Sequence, residues 1–131
     1  MPVVDASVLV AYLARGEHFE QARACLLARA EPLWAPHLVD AEVGHVLRRA
    51  VGRGELGASA GRAALGDLSE LPLTRAGHGG MLERAWALRR NLSFYDALYV
   101  ALAERLHLPL ATLDARLARA AGRRARIDLI A

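Results

Sequence analysis

Short apolar runs alternate with longer segments of helical hydrophobic periodicity along this chain of 131 residues. Five of the runs are brief and bounded by proline, glycine or charged residues, which is typical of buried strands. They are Pro2–Val4, Leu33–Ala35, Leu71–Thr74, Leu110–Thr112 and Ile127–Ile130. Strands that alternate with helices predict a parallel sheet with helices on both faces.

Seven segments with helical patterns separate these runs. They are Ala6–Ala14, Phe19–Ala30, His37–Gly52, Ala58–Leu68, Gly80–Arg90, Ser93–His107 and Ala115–Ala121. The chain contains no repeat and no low-complexity tract, so residues 1–131 are expected to form one α/β domain. The prediction is a three-layer α/β/α fold whose parallel sheet has about five short strands. Functional groups in such sheets gather beyond the carboxyl ends of the strands.

Four carboxylates occupy positions of that kind. Asp5 follows the first strand run and Asp114 follows the fourth, whereas Glu42 and Asp96 lie in the first turns of two helical segments. At 100° per residue, Glu42 lies about 90° and Asp96 about 80° from the centre of its helix's apolar stripe. The stripes are Val39, Val43, Val46, Leu47 and Ala50, and Tyr99, Leu102, Ala103 and Leu106. Both side chains are therefore expected at the rim of the sheet, near the other two acids.

Each of these acids also has an ordinary structural explanation. Asp5 and Asp114 could cap the helices that follow them, Glu42 could complement a helix dipole, and Ser93-x-x-Asp96 fits a capping box. Taken together, however, clustered carboxylates raise one another's pKa, and a fold tolerates them best when a divalent cation is bound. Oxygen-only ligands suit Mg²⁺ or Mn²⁺ better than Zn²⁺. The pattern therefore predicts a metal site of the kind that serves phosphoryl chemistry.

The composition excludes several classes of protein. All 17 basic residues are arginine and there is no lysine, which excludes a Schiff base, a phosphate-loop ATPase and a phosphoacceptor receiver domain. A haloacid dehalogenase phosphatase needs Asp-x-Asp after its first strand, and Ser7 occupies the second position. The single cysteine fits a reducing compartment, and the longest uncharged run, Ala6–Ala14, is well short of the ~20 residues that a membrane span needs. We expect a cytoplasmic protein without a membrane segment.

Several stretches resemble PIN-domain nucleases, and within that class the VapC-type toxins of bacterial toxin–antitoxin pairs. They are VVDASVLVAYL at Val3–Leu13, the helix around Glu42, SFYDALYVALAERLHLPLATLDARLARAA at Ser93–Ala121, and IDLI at the end. The resemblance implies that Asp5, Glu42, Asp96 and Asp114 form the family's acidic metal site. It matches Thr112 with the threonine before the last acid, and Ser7 with the small polar residue after the first.

The resemblance also implies an activity and partners. The expected reaction is Mg²⁺- or Mn²⁺-dependent endonucleolytic cleavage of RNA that leaves a 5′-phosphate and a 3′-hydroxyl. Asp5, Asp96 and Asp114 would hold the metal directly, Glu42 would bind a metal or its water, and Thr112 and Ser7 would orient carboxylates or water. The implied partners are a small VapB-like antitoxin and a second copy of the chain in a homodimer. An RNA-processing nuclease without a toxin role and a catalytically silent PIN-like binding module remain alternatives.

Arginine groups provide weaker signals. They comprise Arg48, Arg49 and Arg53, then Arg89 and Arg90, then Arg123, Arg124 and Arg126. Arginines suit phosphate backbones, but most of these are expected to be solvated helix faces. Arg49 is the candidate for RNA contact, because it lies seven residues after Glu42 on the same helix. An apolar groove for an antitoxin helix is a further hypothesis, with ordinary core as the default; its residues would be Val8, Leu9, Tyr12, Leu13, Phe19 and Leu26.

Overall fold

The computed structural model describes residues 2–28 and 32–130, and it contains five strands and seven helices in those ranges. The strands are β1 (Val3–Val4), β2 (Leu33–Pro36), β3 (Leu73–Ala76), β4 (Leu110–Thr112) and β5 (Ile127–Leu129). The helices are α1 (Ala6–Leu13), α2 (Phe19–Leu27), α3 (Leu38–Gly52), α4 (Ala58–Glu70), α5 (Leu82–Ala87), α6 (Phe94–Leu106) and α7 (Ala115–Ala121). A single 3₁₀ turn, Gly79–Met81, precedes α5.

All strand pairs are parallel, and the strand order is β3-β2-β1-β4-β5. The predicted α/β class and the parallel five-stranded sheet are confirmed. The chain moves outward from β1 to β3 and then returns to the other side of β1, where β4 pairs with it. The order therefore reverses between β1 and β4, and in open parallel sheets ligands bind at the carboxyl ends of the strands at such a switch point.

The core lies on both faces of the sheet. Val3 and Val4 of β1 have no exposed surface, as expected for a parallel strand covered on both sides. Helices α1 to α4 pack on one another, while α6 packs on α5 and covers β2, β1 and β4. Every residue of α6 from Ala97 to Ala103 is buried, so this helix lies inside the molecule and brings its first turn to the edge of the sheet.

The hypothesis of an apolar groove along α1 and α2 is wrong for three of its residues. Val8 and Leu9 have no exposed surface and Leu26 is nearly buried, because α1 and α2 turn these side chains into the core. The rings of Tyr12 and Phe19 stack on each other with their centroids 5.6 Å apart. Val46, assigned to the stripe of α3, is 42% exposed, so the buried stripe of that helix is narrower than predicted.

Several element boundaries differ from the prediction, most clearly those of β3, the segment over 80–90 and α2. Strand β3 begins at Leu73 because Leu71 is the C-cap of α4 and Pro72 has no backbone N–H to donate to a neighbouring strand. The helix expected over 80–90 is a 3₁₀ turn and then α5, which ends at Ala87. Helix α2 ends at Leu27, and Ala30, where it was expected to end, lies outside the described residues. Within the described ranges, no helix has the length and apolar character needed to cross a bilayer.

Candidate active site

The four predicted acids lie on the side of the sheet where the strands end. Asp5 follows β1 directly and Asp114 follows β4 after one intervening residue, so these two acids flank the switch point. Helices α3 and α6 begin at this same edge, which places Glu42 and Asp96 in their early turns. The topology therefore brings to one edge four carboxylates that are separated by up to 109 positions in the sequence, from 5 to 114.

Asp5 is the most constrained of the four. It is 6% exposed and is the N-cap of α1, where its Oδ1 accepts hydrogen bonds from the backbone N–H groups of Ser7 (3.0 Å) and Val8 (3.3 Å). Burial raises the pKa of the Asp5 carboxyl group, and the hydrogen bonds from Ser7, Thr112 and the backbone counteract that rise. The capping explanation is thus correct for Asp5, and the cap holds the carboxylate at the end of β1.

Ser7 and Thr112 connect the ends of β1 and β4. The Ser7 hydroxyl donates to Asp5 Oδ1 at 2.5 Å, and the Thr112 hydroxyl donates to Asp5 Oδ2 at 2.5 Å. The two hydroxyl oxygens also accept hydrogen bonds from the backbone that follows β4. The Leu113 N–H donates to Ser7 Oγ (3.0 Å) and the Asp114 N–H donates to Thr112 Oγ1 (2.9 Å). Because each hydroxyl both donates and accepts, this network orients Asp5 relative to Asp114.

Glu42 accepts a hydrogen bond from a tyrosine that the hydrophobic pattern predicted only as a core residue. Tyr99 of α6 is 1% exposed, and its hydroxyl donates to Glu42 Oε1 at 2.5 Å. The pKa of Glu42 is raised, first by partial burial and then by the charges of Asp96 and Asp5, while the Tyr99 hydrogen bond lowers it. A signal was present in the sequence, because a buried tyrosine in an apolar stripe needs a partner for its hydroxyl and Tyr99 follows Asp96 by one helical turn.

Asp96 and Asp114 are both placed by helix starts. Ser93, the N-cap of α6, accepts the Asp96 N–H at 3.1 Å, which forms one half of the predicted capping box. Asp114 caps α7, and its Oδ1 accepts the N–H groups of Arg116 (2.9 Å) and Leu117 (3.2 Å). The pKa of Asp96 is raised mainly by partial burial; Ser93 and Arg116 lower it, and the charge of Asp114 raises it.

Electrostatic repulsion between neighbouring carboxylates connects all four acids. Asp96 and Asp5 each raise the pKa of Glu42, and Asp114 raises the pKa of Asp96. Burial and the hydrogen bond to Glu42 raise the pKa of Tyr99, so its hydroxyl keeps its proton and remains a donor at neutral pH. The fold therefore holds several negative charges together where solvent screens them only in part.

The donor set fits a hard divalent cation. Carboxylate and hydroxyl oxygens are the ligands that Mg²⁺ and Mn²⁺ prefer, and a bound cation would offset the repulsion described above. No three His, Cys, Asp or Glu side chains in residues 2–28 and 32–130 are arranged to hold a metal ion as they stand. We call Asp5, Glu42, Asp96 and Asp114 the acidic rim. Mg²⁺ usually keeps several waters and binds through few carboxylates together with substrate phosphates, so it does not need three protein ligands already in place.

The start of α3, which positions Glu42, is anchored to β3 and to the loop after it. Arg75 of β3 forms a two-pronged ion pair with Asp40, with Nε–Oδ2 and Nη2–Oδ1 distances of 2.6 and 2.8 Å. The Leu38 N–H donates to His78 Nε2 at 3.0 Å, which satisfies one of the free N–H groups in the first turn of α3. Arg49, three turns further along α3 than Leu38, is exposed and has no hydrogen bond or ion pair to the four acids. Its predicted contact with RNA remains a prediction.

Comparison with known proteins identifies the family. The PIN domain family matches residues 3–123, which is most of the chain. The chain belongs to the PIN-domain family. The match covers every element from β1 to α7, and it includes the four acids and both hydroxyl residues.

Curated relatives of this PIN-domain chain are VapC ribonucleases. Ribonuclease VapC9 of Mycobacterium tuberculosis is 48% identical over 117 residues, which cover 89% of this chain and 88% of the relative. Ribonuclease VapC1 of the same species is 53% identical over 97 residues, which cover 73% of each protein. These identities place the chain among the VapC ribonucleases within the PIN-domain family.

A solved structure supports the fold independently. The crystal structure of Mycobacterium tuberculosis VapC20, described as a sarcin–ricin loop cleaving toxin, superimposes with a TM-score of 0.73. The superposition covers 92% of this chain and 95% of VapC20, at 20% sequence identity. At that identity the similarity establishes the PIN fold alone.

Proposed function

We propose that this chain is a metal-dependent endoribonuclease that acts as the toxin of a toxin–antitoxin pair. The observation on which this rests is the joining of four carboxylates at the switch point of a PIN-domain sheet. The named ribonuclease activity of relatives that share about half of its residues supports the reaction class. The proposed substrate is RNA, cleaved internally to leave a 5′-phosphate and a 3′-hydroxyl.

The proposed roles follow from the contacts. Asp5, Asp96 and Asp114 would hold a divalent cation, Mg²⁺ or Mn²⁺, and Glu42 would bind the cation or one of its waters. A cation held there would act as a Lewis acid that activates water and offsets charge on the scissile phosphate. Thr112 and Ser7 hold the Asp5 carboxylate by hydrogen bonds to both of its oxygens.

Tyr99 has a positioning role in this proposal. Its hydroxyl holds Glu42 Oε1 and leaves Oε2 for a cation or a water molecule. The tyrosine is buried and stays protonated, so the hydrogen bond persists across the neutral pH range. Glu42 is thereby held near Asp96, whose charge raises the pKa of Glu42.

The experiment is cleavage of end-labelled single-stranded and structured RNA by the purified protein. We expect cleavage with Mn²⁺ or Mg²⁺, none in EDTA, and none with Asp5→Ala or Asp96→Ala when circular dichroism shows that these variants fold. Persistent cleavage in EDTA, or with a folded Asp96→Ala variant, would disprove the metal mechanism. A comparison of the two metals at equal concentration decides which one supports faster turnover.

The toxin role and the partners are tested separately. We propose a VapB-type antitoxin that inhibits the nuclease, and a homodimer of this chain, as the family resemblance implies. Induction of this chain alone should stop growth, and co-expression of a small protein encoded beside it should restore growth. Unimpaired growth on induction of an enzyme that is active in vitro would favour the RNA-processing alternative. Light scattering of the purified protein tests the dimer.

A further inference from the structure

A cavity opens directly beside the acidic rim. It has a volume of about 400 Å³ and is lined by Leu38, Ala41, Glu42, His45, Val46 and Tyr95. The four residues 38, 41, 42 and 45 recur at intervals of three and four, so they form one face of α3. Tyr95, in the first turn of α6, forms the opposite wall and directly precedes Asp96 in the sequence.

Tyr95 differs from the other tyrosine near the site. It is 60% exposed, and within residues 2–28 and 32–130 its hydroxyl has no hydrogen bond and its ring contacts no other ring. Tyr99, four residues later, is buried and hydrogen-bonded to Glu42. Tyr95 therefore does little for the fold, and its ring is available to a molecule outside the chain.

The shape and chemistry of the cavity match an unpaired nucleobase. Sequence-specific RNA recognition uses splayed-out bases that stack on aromatic side chains and form hydrogen bonds through their edges. Tyr95 offers an aromatic face, Leu38 and Val46 offer apolar surface, and the exposed imidazole of His45 offers a donor and an acceptor. Ala41 has a small side chain, which leaves space between the walls.

The position of the cavity beside the acids favours a nucleobase of the RNA substrate as its ligand. Glu42 belongs both to the cavity wall and to the acidic rim, so a base in the cavity would be attached to a ribose next to the scissile phosphate. We propose that this cavity, between Tyr95 and the face of α3 that bears His45, binds the base of a single-stranded RNA nucleotide adjacent to the cleaved bond. This inference rests on the proposed nuclease function and adds a subsite for one base of the substrate.

The test uses a labelled single-stranded oligoribonucleotide that the wild-type protein cleaves in Mn²⁺, with the cleaved bond mapped. Tyr95→Ala should lower kcat/KM by roughly 5- to 150-fold, the range that a stacked base contributes. Tyr95→Phe should retain activity within about threefold, because stacking needs the ring alone. Ala41→Leu, a change that a helix accommodates, should mimic Tyr95→Ala because it fills the cavity.

A substrate series identifies the position of the base that enters the cavity. An abasic nucleotide is placed at each position flanking the cleaved bond in turn, and at one of these positions wild type and Tyr95→Ala should become equally slow. Trp86→Ala is the matched control, because Trp86 is 61% exposed, lies on α5 outside the cavity and stacks with Arg89 at 4.7 Å. It should cleave like wild type on every substrate.

Binding without metal separates this proposal from the nuclease proposal. Fluorescence anisotropy of the same oligonucleotide in EDTA should show weaker binding by Tyr95→Ala than by Tyr95→Phe. If wild type cleaves no RNA, but a single-stranded oligoribonucleotide binds Tyr95→Ala more weakly than wild type or Tyr95→Phe, the nuclease proposal fails and the cavity still binds a base. If Tyr95→Ala matches wild type in both cleavage and binding, the cavity does not bind a base and the proposal is overturned.

Discussion

The two ends of the sheet carry charges of opposite sign, and the charged side chains are held far more firmly at one end than at the other. At the carboxyl end, four acids surround the switch point, and hydrogen bonds from backbone N–H groups or hydroxyls hold the carboxylates of Asp5, Glu42 and Asp114. At the amino end, Arg123, Arg124 and Arg126 lie beside a cavity of about 630 Å³ that Pro109 and His107 also line. These arginines are exposed, and Arg126 is 75% exposed even though it pairs with Asp128 at 3.4 Å.

The candidate site lies where side chains are buried and held by hydrogen bonds, and the number of charges on a surface does not locate it. The net charge of +3 averages a basic surface with a locally acidic edge, so it describes neither end. Exposed arginines are solvated and screened, and an exposed ion pair contributes little to stability. The acids are partly desolvated and repel one another, which lowers the free energy of unfolding, and the proposed binding of a cation would offset that repulsion.

The largest effect is expected when one acid of the rim loses its charge. Asp96→Asn should reduce RNA cleavage by at least about a hundredfold, because outer-shell partners of a metal site already account for 10- to 100-fold. Asp67→Asn, on the exposed surface of α4, is the matched control and should cleave normally. Initial rates in Mn²⁺ measure both variants. Equal loss in the two would show that acids of the rim have no special role.

A smaller loss is expected when the acids remain and their support is removed. Thr112→Val deletes the donor to Asp5 and the acceptor of the Asp114 N–H at a fully buried position. We expect a loss of about 1–3 kcal/mol in the free energy of unfolding and a 10- to 100-fold drop in kcat. Thr112→Ser keeps the hydroxyl and should restore most of the activity. Urea denaturation and cleavage rates test both values, and wild-type behaviour of the valine variant would contradict the network.

The pH dependence of stability reports the repulsion at the acidic end. The pKa values of Asp5, Glu42 and Asp96 are raised above 3.8, 4.5 and 3.8, so the folded state binds more protons than the unfolded state just above those values. Without metal, these groups should therefore lower the free energy of unfolding as pH rises through that window, and the loss should then level off. Thermal melts in EDTA should show a shallower decline for Asp96→Asn, and added Mg²⁺ should oppose the decline in wild type. A steeper decline for the variant would contradict the repulsion.

The smallest effect is expected at the amino end. The double variant Arg123→Ala and Arg124→Ala removes two exposed charges far from the acids along the strand direction. We expect kcat to change by less than about threefold and the melting temperature to change little, because exposed charges contribute at most about 1 kcal/mol. A loss comparable to that of Asp96→Asn would show that the basic end takes part in the reaction.

Local patterns predicted most elements closely because each is written in a few consecutive residues. The β-branched run before Asp5, the helix start at Ser93 and the glycine after Ala121 all mark boundaries that the structure reproduces. Strand β3 begins at Leu73 and not at Leu71 as predicted, because the first residue of that apolar run is the C-cap of α4. The exposure of Val46 shows that hydrophobic periodicity predicts where the apolar stripe of a helix lies. It does not predict how wide the buried part is, because that depends on the neighbouring helices.

Short stretches of the amino-acid sequence encode the alternation of strands and helices and place each acid just after a strand or in an early helical turn. Which of these ends become neighbours depends on the packing of the whole chain. The strand order sets β4 beside β1, so Thr112 reaches Asp5, and the buried course of α6 brings Tyr99 to Glu42. Such contacts span 107 and 57 positions, and they depend on how whole layers pack, which no local periodicity encodes.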